Sequence, residues 1–281
     1  MRLDCHQHFW AYDERQYPWI PRDSPLHRDW LPSDLEPLLA AAGFAGSIAV
    51  QARQTLEESH WLLTLADHFP FIKGVVGWVD LRDDRVEEQL AVLAPHPRFV
   101  GVRHLLQDES DDRFMLERNF QRGIGKLAQF KLTYDLLIYP KQLAAAIELV
   151  RNFPHQLFVL DHIAKPPIKA GALSPWREHI RELATAPNVF CKLSGMVTEA
   201  RHPGWKPDDF RPFIEVVFEA FAPARLMFGS DWPVCLLAAS YTEVFRLVQG
   251  YIAHLPAPLR EAIWGGTAAD FYLRNRVRSG L

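Results

Sequence analysis

The feature that most constrains the fold is a repeat. Short, largely apolar strand candidates occur eight times, at 2–8, 46–51, 74–80, 99–104, 131–138, 157–162, 189–194 and 226–231, with helix-like segments between them. Strands that are apolar nearly throughout, such as Leu157-Phe-Val-Leu160 and Gly74-Val-Val-Gly77, suit a parallel sheet covered by helices. Helix starts are marked at Ser33 with Glu36, at Thr55 with Glu58, and at Ser174 followed by Pro175 at the first helical position. Eight β-then-α units predict one α/β domain, a (β/α)8 TIM barrel over 1–281. A doubly wound open sheet shares the alternation, but no GxGxxG follows the first strand. The segment 9–31 is too long for a tight βα turn and carries Trp10, Tyr12, Tyr17, Trp19 and Trp30, which predicts an ordered aromatic loop over the barrel mouth.

Composition narrows the partners. With 48% hydrophobic residues, 23% charged and a net charge of -3, the chain has the material for a large core and no basic surplus, so nucleic acid and anionic membranes are not expected. A small-molecule substrate is expected instead. No apolar stretch is long enough to span a bilayer and the first residues already alternate like a strand, so a cytoplasmic location is expected. Cys5, Cys191 and Cys235 form no CxxC pair and no zinc-finger spacing, and are expected to be small buried side chains. The oligomeric state is left open.

In a TIM barrel the chemistry sits at the carboxyl ends of the strands, so polar residues there are the candidates. His6 and His8 lie two apart on the first strand, and such a pair projects to one side, where it can bind a divalent metal or polarise a carbonyl. Alone, HxH is a weak signal. The other ends add Gln51, Trp78, Asp80, Arg103, His104, Tyr134, Asp135, His162, Lys192, Ser194 and Asp231, and the constellation is stronger than any member. Asp231 either takes a proton from attacking water or caps a turn. His162 is a ligand, an electrophile or a satisfied core histidine. Arg103 holds or polarises an oxygen through its fork, or forms a rim salt bridge. Lys165 binds an anion or is a solvated loop charge, Gln107-Asp108-Glu109 reads as loop polarity, and Asp4 is placed to orient the histidine pair.

Asp4-Cys-His6-Gln-His8-Phe-Trp10, Tyr17-Pro-Trp-Ile20, Gly101-Val-Arg-His104, Leu160-Asp-His162, Lys192-Leu-Ser-Gly195 and Phe228-Gly-Ser-Asp-Trp-Pro233 together resemble the sugar-lactonase branch of the amidohydrolase superfamily. L-fuconolactonases are the nearest likeness, and L-rhamnonolactonases and pyrone dicarboxylate lactonases are wider relatives. The likeness runs from residue 1 to about residue 272. It implies a barrel hydrolase in which His6, His8, His162 and Asp231 are the metal-ligand positions and Asp231 activates water. Strand 4 departs from the binuclear members, which place a carboxylated lysine where this chain has Arg103 and His104, so one divalent metal (Zn) or none is implied, and the branch includes lactonases that need no metal. On this reading His162, Arg103 and His104 assist catalysis, while Trp10, Gln51, Trp78, Tyr134, Lys165 and Trp232 contact the sugar, core packing being the other role open to each aromatic. The same HxH and aspartate occur in metal-dependent decarboxylases of acidic substrates, which is the alternative activity; a non-catalytic sugar-acid binder would lack the rim polar set.

Overall fold

The computed structural model describes residues 1–274. Eight strands, β1 (Leu3–Gln7), β2 (Gly46–Val50), β3 (Ile72–Gly77), β4 (Phe99–His104), β5 (Thr133–Leu136), β6 (Phe158–Leu160), β7 (Val189–Leu193) and β8 (Leu226–Phe228), pair in sequence order, every neighbour parallel. Closure is made past the end of β8. The His8 N–H donates to the Trp232 carbonyl at 2.7 Å and the Asp231 N–H to the His6 carbonyl at 2.8 Å. The seam therefore carries four residues of the predicted site, His6, His8, Asp231 and Trp232. Every predicted strand is present, each within the range expected or starting up to two residues outside it.

Helices α1 (Pro32–Ala42), α2 (Leu56–His68), α3 (Val86–Leu93), α4 (Arg118–Leu127), α5 (Leu143–Asn152), α6 (Trp176–Leu183), α7 (Pro207–Phe221) and α8 (Tyr241–Ile252) return the chain outside the sheet, so the architecture is the (β/α)8 barrel. Two cores result. An outer layer between sheet and helices includes Leu35, Leu62, Leu90, Phe120, Leu149, Ile180, Phe213 and Val248. An inner one gathers Leu3, Cys5, Ile48, Val50, Val76, Val100, Val159 and Met227 with Phe271 and Tyr272 from the segment after α8. All three cysteines are buried and unpaired.

The helix starts differ in detail from expectation. Thr55 caps α2 by accepting from the Glu58 N–H at 3.2 Å, but the Glu58 carboxylate turns away to accept from Ala52 and Arg53 at 3.0 and 2.7 Å, so only half the box forms. Helix α1 begins at Pro32, before Ser33, and Asp34 rather than Glu36 reaches back, accepting from Leu31 N–H at 2.9 Å; proline's fixed φ favours that first position. Pro175 precedes α6 instead of opening it. No helix among the described residues is long and apolar enough to cross a membrane.

Candidate active site

At the carboxyl ends of the strands lies a cavity of about 280 Å³ lined by His8, Trp10, Trp19, Arg103, His162, Lys165 and Asp231, with Ala52, Leu105, Gln107, Asp108, Leu137 and Val234 completing the wall. The loop after β1 is pinned across the mouth: Trp10 and Trp30 exchange both backbone hydrogen bonds at 2.9 Å, and the Trp10 indole N–H donates to the Arg28 carbonyl. Trp10 is fully buried against Tyr17, whereas Trp19 is 47% exposed and meets Trp10 edge-on. The predicted aromatic loop is thus present and supplies two walls of the cavity.

Three histidines converge on one aspartate. Asp231 Oδ1 stands 3.4 Å from His8 Nε2 and 3.8 Å from both His6 Nε2 and His162 Nε2, and the two strand-1 rings meet Nε2 to Nε2 at 3.2 Å. His8 Nδ1 donates to the Val50 carbonyl at 2.8 Å, which leaves the Nε2 lone pair aimed at the cluster. His162 Nδ1 lies 2.8 Å from Ser194 Oγ. Backbone strain positions these groups. Asp231 has φ 58°, and His162, Ile163, Ala164 and Lys165 run consecutively through left-handed φ of 53°, 49°, 60° and 46°, a conformation costing roughly 1–2 kcal/mol per non-glycine residue. Such strain persists only where the surroundings over-determine it, and it gathers at functional sites. Glycine clears the space beside two rings: a Cβ on Gly195 would stand 2.3 Å from His162 Nδ1, and one on Gly229 2.6 Å from His6 Cβ.

Behind the cluster lies a buried ionic layer. Arg103 donates Nε to Gln51 Oε1 at 3.0 Å, Nη2 to the same oxygen at 2.8 Å and Nη1 to Asp161 Oδ2 at 3.0 Å, with Nη1 also 3.3 Å from His6 Nε2. Lys192 Nζ lies 2.5 Å from Asp135 Oδ2, 2.9 Å from Asp161 Oδ1 and 3.0 Å from His6 Nδ1. All five of these charged or ring side chains are shut off from solvent. Burial drives the His6 ring well below the usual histidine pKa and lowers His162 to about 4, so both rings are neutral at neutral pH. Burial would raise Asp231, but His162, His8 and His6 outweigh it and hold this carboxyl below its ordinary range.

The structure brings together His6, His8, Arg103, His162, Lys165, Asp231 and Trp10, and places Gln51 directly behind Arg103. It does not bring the others to the cavity wall. His104 turns outward, its Nε2 2.7 Å from Glu109 Oε1 and its ring stacked on Phe114, and Trp78 Nε1 donates to its other nitrogen at 3.4 Å. Tyr134 packs between Phe120 and Phe158 in the outer core, and Trp232 packs against Phe9 and Trp30. Sequence reasoning set aside Gln107 and Asp108 as loop polarity and did not single out Asp161; their signal was position, immediately after β4 and β6.

The donor set fits a divalent ion by distance. His6, His8 and Asp231 offer ligand atoms within 4.8 Å of one another, as do His6, Asp161 and His162, and imidazole nitrogen with carboxylate oxygen suits zinc at bonds of about 2.0–2.2 Å.

A parallel eight-stranded barrel that gathers histidines, an aspartate and an arginine at the carboxyl ends of its strands is the architecture of a barrel enzyme. The chain belongs to the amidohydrolase family, whose profile matches residues 3–274. It is 44% identical to an L-fucono-1,5-lactonase from Burkholderia multivorans over 97% of this chain and 96% of the relative. It is 38% identical to an L-fucono-1,5-lactonase from Burkholderia ambifaria over 98% of this chain and 96% of that one. A crystal structure of a Burkholderia multivorans amidohydrolase with bound Zn superposes with a TM-score of 0.93 at 44% identity, covering 97% of this chain and 99% of that one. The likeness to sugar lactonases read from the motifs agrees with these relatives.

Proposed function

We propose that this enzyme hydrolyses a sugar-acid lactone of the L-fucono-1,5-lactone kind to the open aldonic acid. One observation carries the reading: a carboxylate oxygen, Asp231 Oδ1, 3.4–3.8 Å from three imidazole nitrogens in a cavity of small-sugar size, in a chain 44% identical to a lactonase. The lactone carbonyl faces the histidines and Arg103. Water between Asp231 and His8 gives a proton to Asp231 as its oxygen bonds to the carbonyl carbon, and the tetrahedral oxyanion is held by the ring and guanidinium N–H groups. Collapse breaks the bond to the ring oxygen, which takes the proton back from Asp231, so one water is consumed and one carboxyl and one hydroxyl appear. Trp10 and Trp19 supply apolar faces for the sugar, while Lys165 and Asp108 face its hydroxyls. A zinc ion, where bound, would be held by donors from His6, His8, His162 and Asp231 and would polarise the carbonyl. The N–H groups supply the same polarisation, which makes the ion dispensable on this reading.

The test follows acid release from L-fucono, L-galactono and L-rhamnono lactones with a pH indicator, before and after chelation and with zinc restored. Acid is expected from the L-fucono compound and is expected to survive the chelator; release from none of the three would refute the proposal, and loss with rescue by zinc would make the ion essential. Asp231→Asn is expected to lower kcat at least about 100-fold, the usual scale for a general base, with folding unchanged by circular dichroism.

A further inference from the structure

Arg103 is a buried cation, yet most of its hydrogens end on a neutral side chain. We infer that Gln51 is a positioning residue for Arg103, gripping the guanidinium so that one Nη1 hydrogen stays aimed at the histidine cluster, and that Glu58 acts through Gln51 by fixing the turn that carries it. The inference rests on the proposed function, in which Arg103 faces the lactone carbonyl, and adds the two residues that aim it.

A guanidinium has five N–H hydrogens and can only donate. The Arg103 Nε–H goes to Gln51 Oε1 at 3.0 Å, and the two Nη2 hydrogens go to the same oxygen at 2.8 Å and to the Gln51 carbonyl, so three of the five end on one residue. Nη1 directs the remaining two at Asp161 Oδ2, at 3.0 Å, and at His6 Nε2, at 3.3 Å. The contact with His6 is the longest of the set, and its hydrogen is the one a lactone oxygen can take over at least cost. Asp161 alone would hold the guanidinium by one nitrogen and leave it free to turn about that bond. The grip of Gln51 along the Nε–Nη2 edge fixes its plane.

Gln51 is itself oriented. Its Nε2 donates to the Arg53 carbonyl at 3.1 Å, which turns Oε1 toward Arg103. That turn is closed by Glu58, whose Oε2 accepts from the Ala52 and Arg53 N–H groups at 3.0 and 2.7 Å. The same stretch serves His8, which donates Nδ1–H to the Val50 carbonyl, and puts Ala52 in the cavity wall. Gln51 and Glu58 are both fully buried, so bulk water does not replace either. One Glu58 oxygen takes both hydrogens, so the turn needs an oxygen at that place and not a charge. Glu58→Gln supplies the oxygen and Glu58→Ala does not.

The test reads the Arg103 Nε–H directly, by proton–nitrogen NMR of the full-length protein labelled with 15N-arginine, the signal being assigned by its loss in Arg103→Lys. The reference is Arg225, just before β8, whose Nε–H donates to the Phe221 carbonyl at 3.1 Å. In the parent both hydrogens are expected to exchange slowly with solvent. Gln51→Ala and Glu58→Ala are expected to speed exchange at Arg103 relative to Arg225 at least about tenfold, the scale of one lost hydrogen bond to a charged group, and Glu58→Gln is expected to leave the ratio unchanged. General destabilisation moves both signals and so does not imitate this result. Fast exchange at Arg103 in the parent, an unmoved ratio in Gln51→Ala, or equal effects of Glu58→Gln and Glu58→Ala overturns the inference. Gln51→Leu, which keeps the bulk of the side chain without its amide, replaces Gln51→Ala if that variant does not fold. Lactone kinetics supply the second arm: Gln51→Ala is expected to lower kcat at least about tenfold with a smaller change in KM, because the hydrogen it aims meets the developing oxyanion, and an unchanged kcat overturns the inference. The exchange arm uses no lactone, so if no lactone is hydrolysed the proposed function fails while the grip on Arg103 is still decided.

Discussion

Gly195 shows how much of the site is set one residue at a time. Its φ of 58° and the 2.3 Å approach of a would-be Cβ to His162 Nδ1 leave no room for a side chain unless the ring moves. Gly195→Ala is expected to cost roughly 1–2 kcal/mol in stability from the left-handed backbone alone and to lower kcat more than it raises KM, because His162 is displaced; denaturant midpoints and lactone kinetics on the same preparation check both. At this scale the sequence was legible in placing His6, His8, Arg103, His162 and Asp231, since each lies near or just past the carboxyl end of a strand. It was misleading for His104 and Tyr134, because a strand end gives the depth of a residue but not its face. Side chains alternate along a strand, and Arg103 and Asp135, which are register partners in β4 and β5, point inward while their neighbours His104 and Tyr134 point into the outer core. The link from Lys192 in β7 to Asp135 in β5, His6 in β1 and Asp161 just after β6 exists only once the sheet has closed, so no local pattern announces it.

Between β2 and α2 the turn is organised by one buried carboxyl. Glu58 accepts from two backbone N–H groups, yet burial, the largest influence, lifts it from an ordinary 4.5 to about 7. The native state then keeps a proton that the unfolded chain has lost across that window, so this group's contribution to stability falls as pH rises from about 4.5 to about 7 and is flat above it. Glu58→Gln is expected to remove that decline, its stability relative to the parent improving by roughly 2–3 kcal/mol from pH 4.5 to pH 7; parallel urea titrations across the window, showing instead a constant difference, would refute it. The capping signal at Thr55 was readable because it is local, whereas the turning away of Glu58 depends on where Ala52 and Arg53 come to rest. The left-handed run at 162–165 was unreadable for a related reason: it contains no glycine, and tertiary packing imposes it.

Across the whole molecule, the ionic layer ties the two ends of the barrel interior together. The Tyr272 hydroxyl, from the segment after α8, donates to Asp135 Oδ2 at 2.8 Å, the same oxygen that receives Lys192. Tyr272→Phe leaves the inner packing in place and removes one hydrogen bond to a charged group, with an expected loss of about 1.5–3 kcal/mol seen as a lower denaturant midpoint at unchanged slope. The eightfold repeat made this architecture readable from sequence, because a period of strand and helix leaves few ways to cover a parallel sheet. Residue 6, however, depends on residues 135, 161 and 192, residue 135 on residue 272, and the seam on residues 231 and 232. A chain emerging from the ribosome therefore has no seam partners for its first two histidines until residues 231 and 232 have been made, and a product that stops before them lacks one half of the seam. The site therefore assembles only after most of the barrel has been synthesised, and its first strand waits for its last.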